Sequence, residues 1–197
     1  MTIEERLDNF KVDLKDNTMS NLQITRRHFS FGTPYIFDKD ESKYYKIKEK
    51  IADKFLIHTD SVKMVGSAKL GFSIAPHKLW KPLNDESDID MVIISNDIFD
   101  LYWKELFEFN NIDHTSRTEE EDKQYKKFIE YFFRGWIRPD KFPFSYSKKK
   151  EWFEFFKSIS YKEFGEKKIT GAIYRENYFF EKYHESNIKN LRDGGLL

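Results

Sequence analysis

Two short stretches of this chain carry residue types that can do chemistry together. In the first, the apolar run Val62-Lys63-Met64-Val65 stops at Gly66-Ser67. In the second, Asp88-Ile89-Asp90 opens the run Met91-Val92-Ile93-Ile94. Side chains on a strand alternate between faces, so Asp88 and Asp90 share one face and Ile89 takes the other. The two carboxylates stand about 7 Å apart along that face, close enough to share one or two divalent cations. Gly66 lets the backbone approach a ligand, and Ser67 offers a hydroxyl and an amide to a phosphate. Lys69 reaches toward the same anion, and Gly71 and Ser73 keep the approach open. Charge neutralisation with in-line positioning is what phosphoryl or nucleotidyl transfer requires. The plainer reading is that an Asp at a strand start caps a turn. Asp90, however, leads directly into an apolar run, and a buried carboxylate needs a cation, an arginine or several donors.

At these residues the chain resembles the nucleotidyltransferase superfamily, which includes DNA polymerase beta and minimal bacterial members. The shared pattern is an apolar strand, Gly-Ser or Gly-Gly, a short helix, and then Asp-x-Asp or Asp-x-Glu on the next strand. Gly66-Ser67 and Asp88-Ile89-Asp90 fill it, and the match covers residues 62–95. The resemblance implies an α/β (α+β) fold with a small mixed β-sheet and flanking helices. It implies that Asp88 and Asp90 are catalytic and hold Mg²⁺ (or Mn²⁺) on a nucleoside triphosphate. Gly66 and Ser67 would then hold the terminal phosphates. An acceptor hydroxyl on a protein, an RNA end or a second nucleotide attacks the α-phosphorus, and pyrophosphate leaves. Family members of this size often act in toxin–antitoxin or phage-defence modules, so the resemblance implies such a context. Two departures stand out. Twenty residues, 68–87, separate Ser67 from Asp88, about twice the family's spacing. The family's third carboxylate, carried on a later strand, has no clear counterpart: Glu176 and Asp140 are candidates, and absence is the third option. Absence leaves two readings: two carboxylates suffice, or the chain is the alternative, a catalytically degenerate nucleotide- or partner-binding module.

Composition bounds the rest. The 197 residues suit a single domain with its core at about residues 42–175 and helical additions at both ends. Lys+Arg and Asp+Glu are equal at 34 each, so bulk charge points to neither nucleic acid nor an acidic membrane. Aromatic residues make up 18% of the chain, so the core is built around Phe, Tyr and Trp. There is no cysteine, which removes disulfides, thiol catalysis and cysteine-ligated zinc. No apolar run approaches the ~18 residues of a membrane span, and residues 1–5 do not read as a signal peptide, so a cytoplasmic location is expected.

The elements that must position the two stretches follow from periodicity. Ile3, Leu7, Phe10 and Leu14 predict a helix over 3–16, with Thr2 and Glu5 as a capping box. Residues 21–37 are irregular and hold Arg26-Arg27, either a solvated pair or an anion contact. Tyr44, Ile47, Ile51 and Phe55 predict a helix over 42–58 that leads into the strand Val62–Val65. Residues 74–87, with Pro76, Trp80 and Pro82, read as an inserted loop made locally basic by His77, Lys78 and Lys81. In it Asp85 and Glu86 are solvated, and Ser87 fixes the Asp88 carboxylate. Helices are predicted over 98–109 and 122–134, the latter opened by the acidic run 119–122 and ended by Gly135. Residues 136–144, with Pro139, Pro143 and several aromatics, read as a loop pinned by ring packing. The sharper reading is a stacking wall with Arg138 on a phosphate. Lys148-Lys149-Lys150 open a helix carrying Trp152, Phe155, Phe156 and Ile159, residues 167–175 alternate as a strand, and 177–192 form a last helix before a Gly194-Gly195 tail.

Overall fold

A computed structural model describes residues 1–111, 118–142, 144, 147–160, 163–164 and 166–194. Helix α1 (Ile3–Lys15) starts on the predicted capping box: Thr2 accepts from the Glu5 amide while Glu5 reaches back to the Thr2 amide. Ser20 and Gln23 repeat the device on α2 (Asn21–Thr25), which passes into a π-helical turn at Arg26–Ser30. This segment is more ordered than its sequence suggests. Helix α3 (Glu41–Phe55) is capped by the Asp40 side chain and feeds β1 (Val62–Val65). Gly66 opens the short helix α4 (Gly66–Leu70). After the inserted loop come β2 (Ile89–Ile94), α5 (Asn96–Asn111), α6 (Glu119–Phe133), β3 (Trp136–Ile137), α7 (Ser147–Ile159), β4 (Ile169–Tyr174) and α8 (Asn177–Asp193).

The fold is α+β, with a mixed four-stranded sheet in the order β1-β2-β4-β3. Strand β1 is antiparallel to β2, β2 parallel to β4, and β3 antiparallel to β4. Strand β3 is a correction. Residues 136 and 137 are not loop: they pair with Tyr174 and Ile173 at the sheet edge. Pro143 of the same segment lies outside the described residues, as do residues 112–117 and Gly195.

Alternation splits the sheet into two faces. Ile89, Met91 and Ile93 join Val62, Met64, Ile169 and Ile173 in one apolar cluster, covered by Ile47 and Ile51 of α3, Tyr102 and Leu106 of α5, and Trp152 and Phe156 of α7. Val92, Ile94, Trp136 and Tyr174 join a second cluster with Phe10 and Leu14 of α1, Ile24 of α2, and Phe180, Ile188 and Leu191 of α8. Arg192 anchors α8 there. Its guanidinium donates to the carbonyls of Asp13, Leu14, Asp16 and Met19 and to Asn21 Oδ1, at 2.7–3.2 Å. These bonds satisfy carbonyls at the C-terminal end of α1 and in the turn after it, and tie α8 to them over the second face. Arg26 pairs bidentately with Glu181 of α8 at 2.7 and 2.9 Å, and Arg27 pairs with the buried Asp13 at 3.0 Å. Both arginines, though more than half exposed, are thus paired with carboxylates of the protein itself. No helix among the described residues is long and apolar enough to cross a membrane.

Candidate functional site

Register brings the two stretches together. Val65, the last residue of β1, stands opposite Asp90 near the start of β2, and Thr170 of β4 stands opposite Asp90 on the other side. Gly66 turns the chain from β1 into α4 with φ +70°, a conformation that an L side chain resists. The absent side chain is what admits the carboxylate. A Cβ at position 66 would lie 2.8 Å from Asp90 Oδ2. Asp90 Oδ1 accepts from the Thr170 hydroxyl at 2.7 Å. Asp88 precedes β2 on the same face, half exposed, and its nearest cation is Lys168 Nζ at 3.9 Å. Two adjacent carboxylates thus share one hydroxyl donor and one loosely placed ammonium. Mg²⁺ binds through one or two carboxylates plus substrate phosphates and waters, so Asp88 and Asp90 fit such an ion.

The carboxylates line a cleft of about 520 Å³, within the usual range for small-molecule sites. Gly66, Ser67 and Ser73 line it with them. The inserted loop is its outer wall, and it is folded. Phe72 pairs with Pro82, Ser73 N donates to Lys81 O at 2.9 Å, and Trp80 N donates to Ser73 O at 2.8 Å. Trp80 packs on Phe10 and Phe72, which fixes this small lobe to α1. His77, Lys78 and Lys81 face the cleft from it, all exposed. The loop thus brings two lysines and a histidine to the cleft, with Glu86 as its one acidic lining residue, beside the acidic floor.

Other predicted residues go elsewhere. Lys69 does not line the cleft; its side chain is buried, and Nζ donates to the carbonyls of Phe31 and Gly32. Burial first, then the charges of Arg6, Lys63 and Lys48, push its pKa down to about 8. Ser87 does not hold Asp88: its hydroxyl donates to Asn84 Oδ1 at 2.9 Å and accepts from Asn84 N. Asp85 and Glu86 are exposed as expected. Neither candidate third carboxylate reaches the site. Asp140 is held bidentately by Arg138 at 2.8 and 3.2 Å. Glu176 is the N-cap residue of α8, past the far end of β4, whereas Asp90 pairs with Thr170 near its start. The β4 residue beside Asp90 is Thr170. No cluster of three or more metal-ligating side chains occurs among the described residues.

Sequence reasoning missed the inner wall. Tyr183, His184 and Asn187 of α8 line the cleft together with Phe29, Trp136 and Tyr174. A signal was present: His184 and Asn187 interrupt the stripe Phe180, Ile188, Leu191 that faces the core. His184 is 5% exposed, and burial pushes its pKa down to about 3. Burial also raises the Tyr183 phenol, with the Asp90 charge among the smaller contributions.

No family model, no curated protein and no solved structure matches the chain.

Proposed function

We propose that the chain is a metal-dependent nucleotidyltransferase, moving a nucleoside monophosphate from a nucleoside triphosphate to a hydroxyl acceptor on a protein, an RNA or a nucleotide. The observation that carries this reading is the seating of Asp90 against Gly66, with Asp88 two positions earlier on the same face and Ser67 in the same cleft. The order of elements supports it: strand, Gly-Ser, short helix, antiparallel Asp-x-Asp strand and then a parallel strand. A bound Mg²⁺ would neutralise phosphate charge and polarise the α-phosphoryl group. Asp88 and Asp90 would hold that ion and fix its position. Ser67 donates to the terminal phosphates, and Lys78 and Lys81 offset their charge from the opposite wall. Thr170 holds the Asp90 carboxylate in one rotamer. The acceptor oxygen bonds to the α-phosphorus as the bond to the bridging oxygen breaks, pyrophosphate departs, and the acceptor proton goes to water.

One observation favours a second reading. Thr170 stands beside Asp90 on the strand where the resemblance calls for a third carboxylate, which suits a protein that binds nucleotide without turnover. One assay separates the two. Purified protein is incubated with each α-labelled ribonucleoside triphosphate, Mg²⁺ or Mn²⁺, bulk tRNA and cell lysate, beside the Asp88→Asn/Asp90→Asn double variant. Transfer by the wild type alone is the expected result. Binding without transfer selects the second reading, and equal transfer by both proteins refutes the assigned site.

A further inference from the structure

The cleft has two chemically different ends. The outer end holds the carboxylates, Ser67 and the lysines. The inner end lies between the sheet residues Val92, Ala172, Tyr174 and Trp136 and the α8 residues Tyr183, His184 and Asn187. Its walls are mostly rings. His184 stacks on Phe29 at 4.4 Å between centroids and meets Phe180 edge-on at 4.6 Å.

Three polar atoms in this wall have no partner among the described residues: His184 Nδ1, His184 Nε2 and Trp136 Nε1. All three are shielded from water. Folded proteins rarely leave such groups unpaired, and each instance asks for an explanation. Because burial keeps His184 neutral, it offers one donor and one acceptor. The Trp136 indole offers a donor, and the Asn187 amide, which also hydrogen-bonds the Tyr183 phenol, offers an acceptor and a further donor. The set suits a flat ring with donors and acceptors along its edge. It does not suit a phosphate: no lysine stands at this end, and Arg138, the guanidinium that lines the cleft, is paired with Asp140. An alkyl chain would leave the nitrogens unpaired. The two ends also belong to one cavity, which Asp88 and Asp90 line at one end and Tyr183, His184 and Asn187 at the other.

We propose that the inner end seats the base of the nucleoside triphosphate and that His184, with Asn187 and Trp136, reads its edge. This rests on the nucleotidyltransferase reading of the same cleft. The base enters between the aromatic walls, side chains of the wall shift to admit it, and the hydrogen bonds it makes to the unpaired nitrogens offset that shift. Discrimination follows, because a base with the wrong donor and acceptor pattern leaves these buried groups unpaired.

The test is calorimetric titration with Mg²⁺ and four α,β-methylene ribonucleoside triphosphates, beside Mg²⁺ and inorganic tripolyphosphate. Wild type is expected to bind one of the four at least about 10-fold more tightly than the others and than tripolyphosphate. His184→Phe keeps a stacked ring and removes both nitrogens. It is expected to bind tripolyphosphate as wild type does and to lose the preference. Asn187→Ala, on the same helix, provides an independent reading if His184→Phe does not fold, and its preference should also weaken. Four triphosphates bound no better than tripolyphosphate by wild type would overturn the base site and leave the transferase reading intact. Full preference in both variants would likewise overturn it. No binding of tripolyphosphate or of any nucleotide by wild type would overturn both readings.

Discussion

The two faces of the sheet are built from alternate residues of the same strands, yet they solve opposite problems. On one face Ile89, Met91 and Ile93 meet α3, α5 and α7 in continuous apolar packing. On the other, Asp90 and Thr170 lie at the mouth of a cleft that Val92, Ala172 and Tyr174 continue inward. A glycine serves each. Gly171 is empty so that rings can fill its place: a Cβ there would lie 2.3 Å from Phe156 Cζ and 2.6 Å from Trp152. Gly66 is empty so that a carboxylate can. Strand β2 thus contributes stability through one set of positions and the site's charge through the other. The period of two lets each set vary without the other.

The strongest way to break that division is to overfill the closed face. Gly171→Ala drives a methyl into Phe156 and Trp152, two large buried rings that also pack on each other at 4.7 Å between centroids. Neither ring can yield without disturbing Tyr102 or Phe155. A loss of about 3 kcal/mol in unfolding free energy is expected, read by urea denaturation. Nucleotide affinity of the folded fraction should stay within about threefold of wild type, a change of under 1 kcal/mol. A variant as stable as wild type would mean the face is not close-packed at α7.

The sequence showed one face better than the other. Helix α1 with its capping box, β1 and the apolar positions of β2 were legible, because local period and caps specify them. So were Gly66, Asp88 and Asp90 as partners, because the motif states their relation. What stayed hidden depends on distant register. Nothing near Thr170 announces that it will stand opposite Asp90, 80 residues earlier in the chain. Strand β3 is two residues long and exists only by pairing with β4, so it has no period to detect. Lys69 read as an anion ligand because its local neighbours suggested one, whereas the carbonyls that hold it belong to residues 31 and 32. The inner wall is supplied by α8, whose placement rests on Arg192 reaching back to residues 13–21.

The cleft side should also be the acid-sensitive side. Burial holds His184 near a pKa of 3, against an ordinary value of 6.5. A depressed histidine is neutral in the fold, while the unfolded chain takes up a proton below 6.5. Its contribution is therefore fully present above pH 6.5 and is lost as pH falls from 6.5 toward 3. At pH 5 the loss amounts to about 2 kcal/mol. His28 on the same side is lowered by burial too, although its bond to Asp13 opposes the shift. Denaturation at pH 7.5 and pH 5 should show His184→Phe losing less stability than wild type. An identical loss in both proteins would mean that His184 takes up its proton in the folded state as readily as in the unfolded chain.

The smallest expected change in stability carries the sharpest contrast. Gly66→Ala forces an L side chain to φ +70°, at about 1–2 kcal/mol. Its methyl also meets Asp90 Oδ2 at 2.8 Å, and the carboxylate is the softer partner because it can rotate while the β1 backbone cannot. Rotation breaks the bond to Thr170 and turns Oδ1 and Oδ2 away from the position shared with Asp88. Gly66→Ala should therefore melt only slightly below wild type, yet lose the proposed Mg²⁺-dependent nucleotide binding by about 100-fold, as the proposal requires of a misdirected Asp90. Gly171→Ala should show the reverse, a large stability loss with binding kept. Parallel losses of stability and binding in both variants would mean that the two faces are not separable. Intact binding in Gly66→Ala would mean that Asp90 does not need the space which the glycine leaves, and would remove the observation on which the site rests.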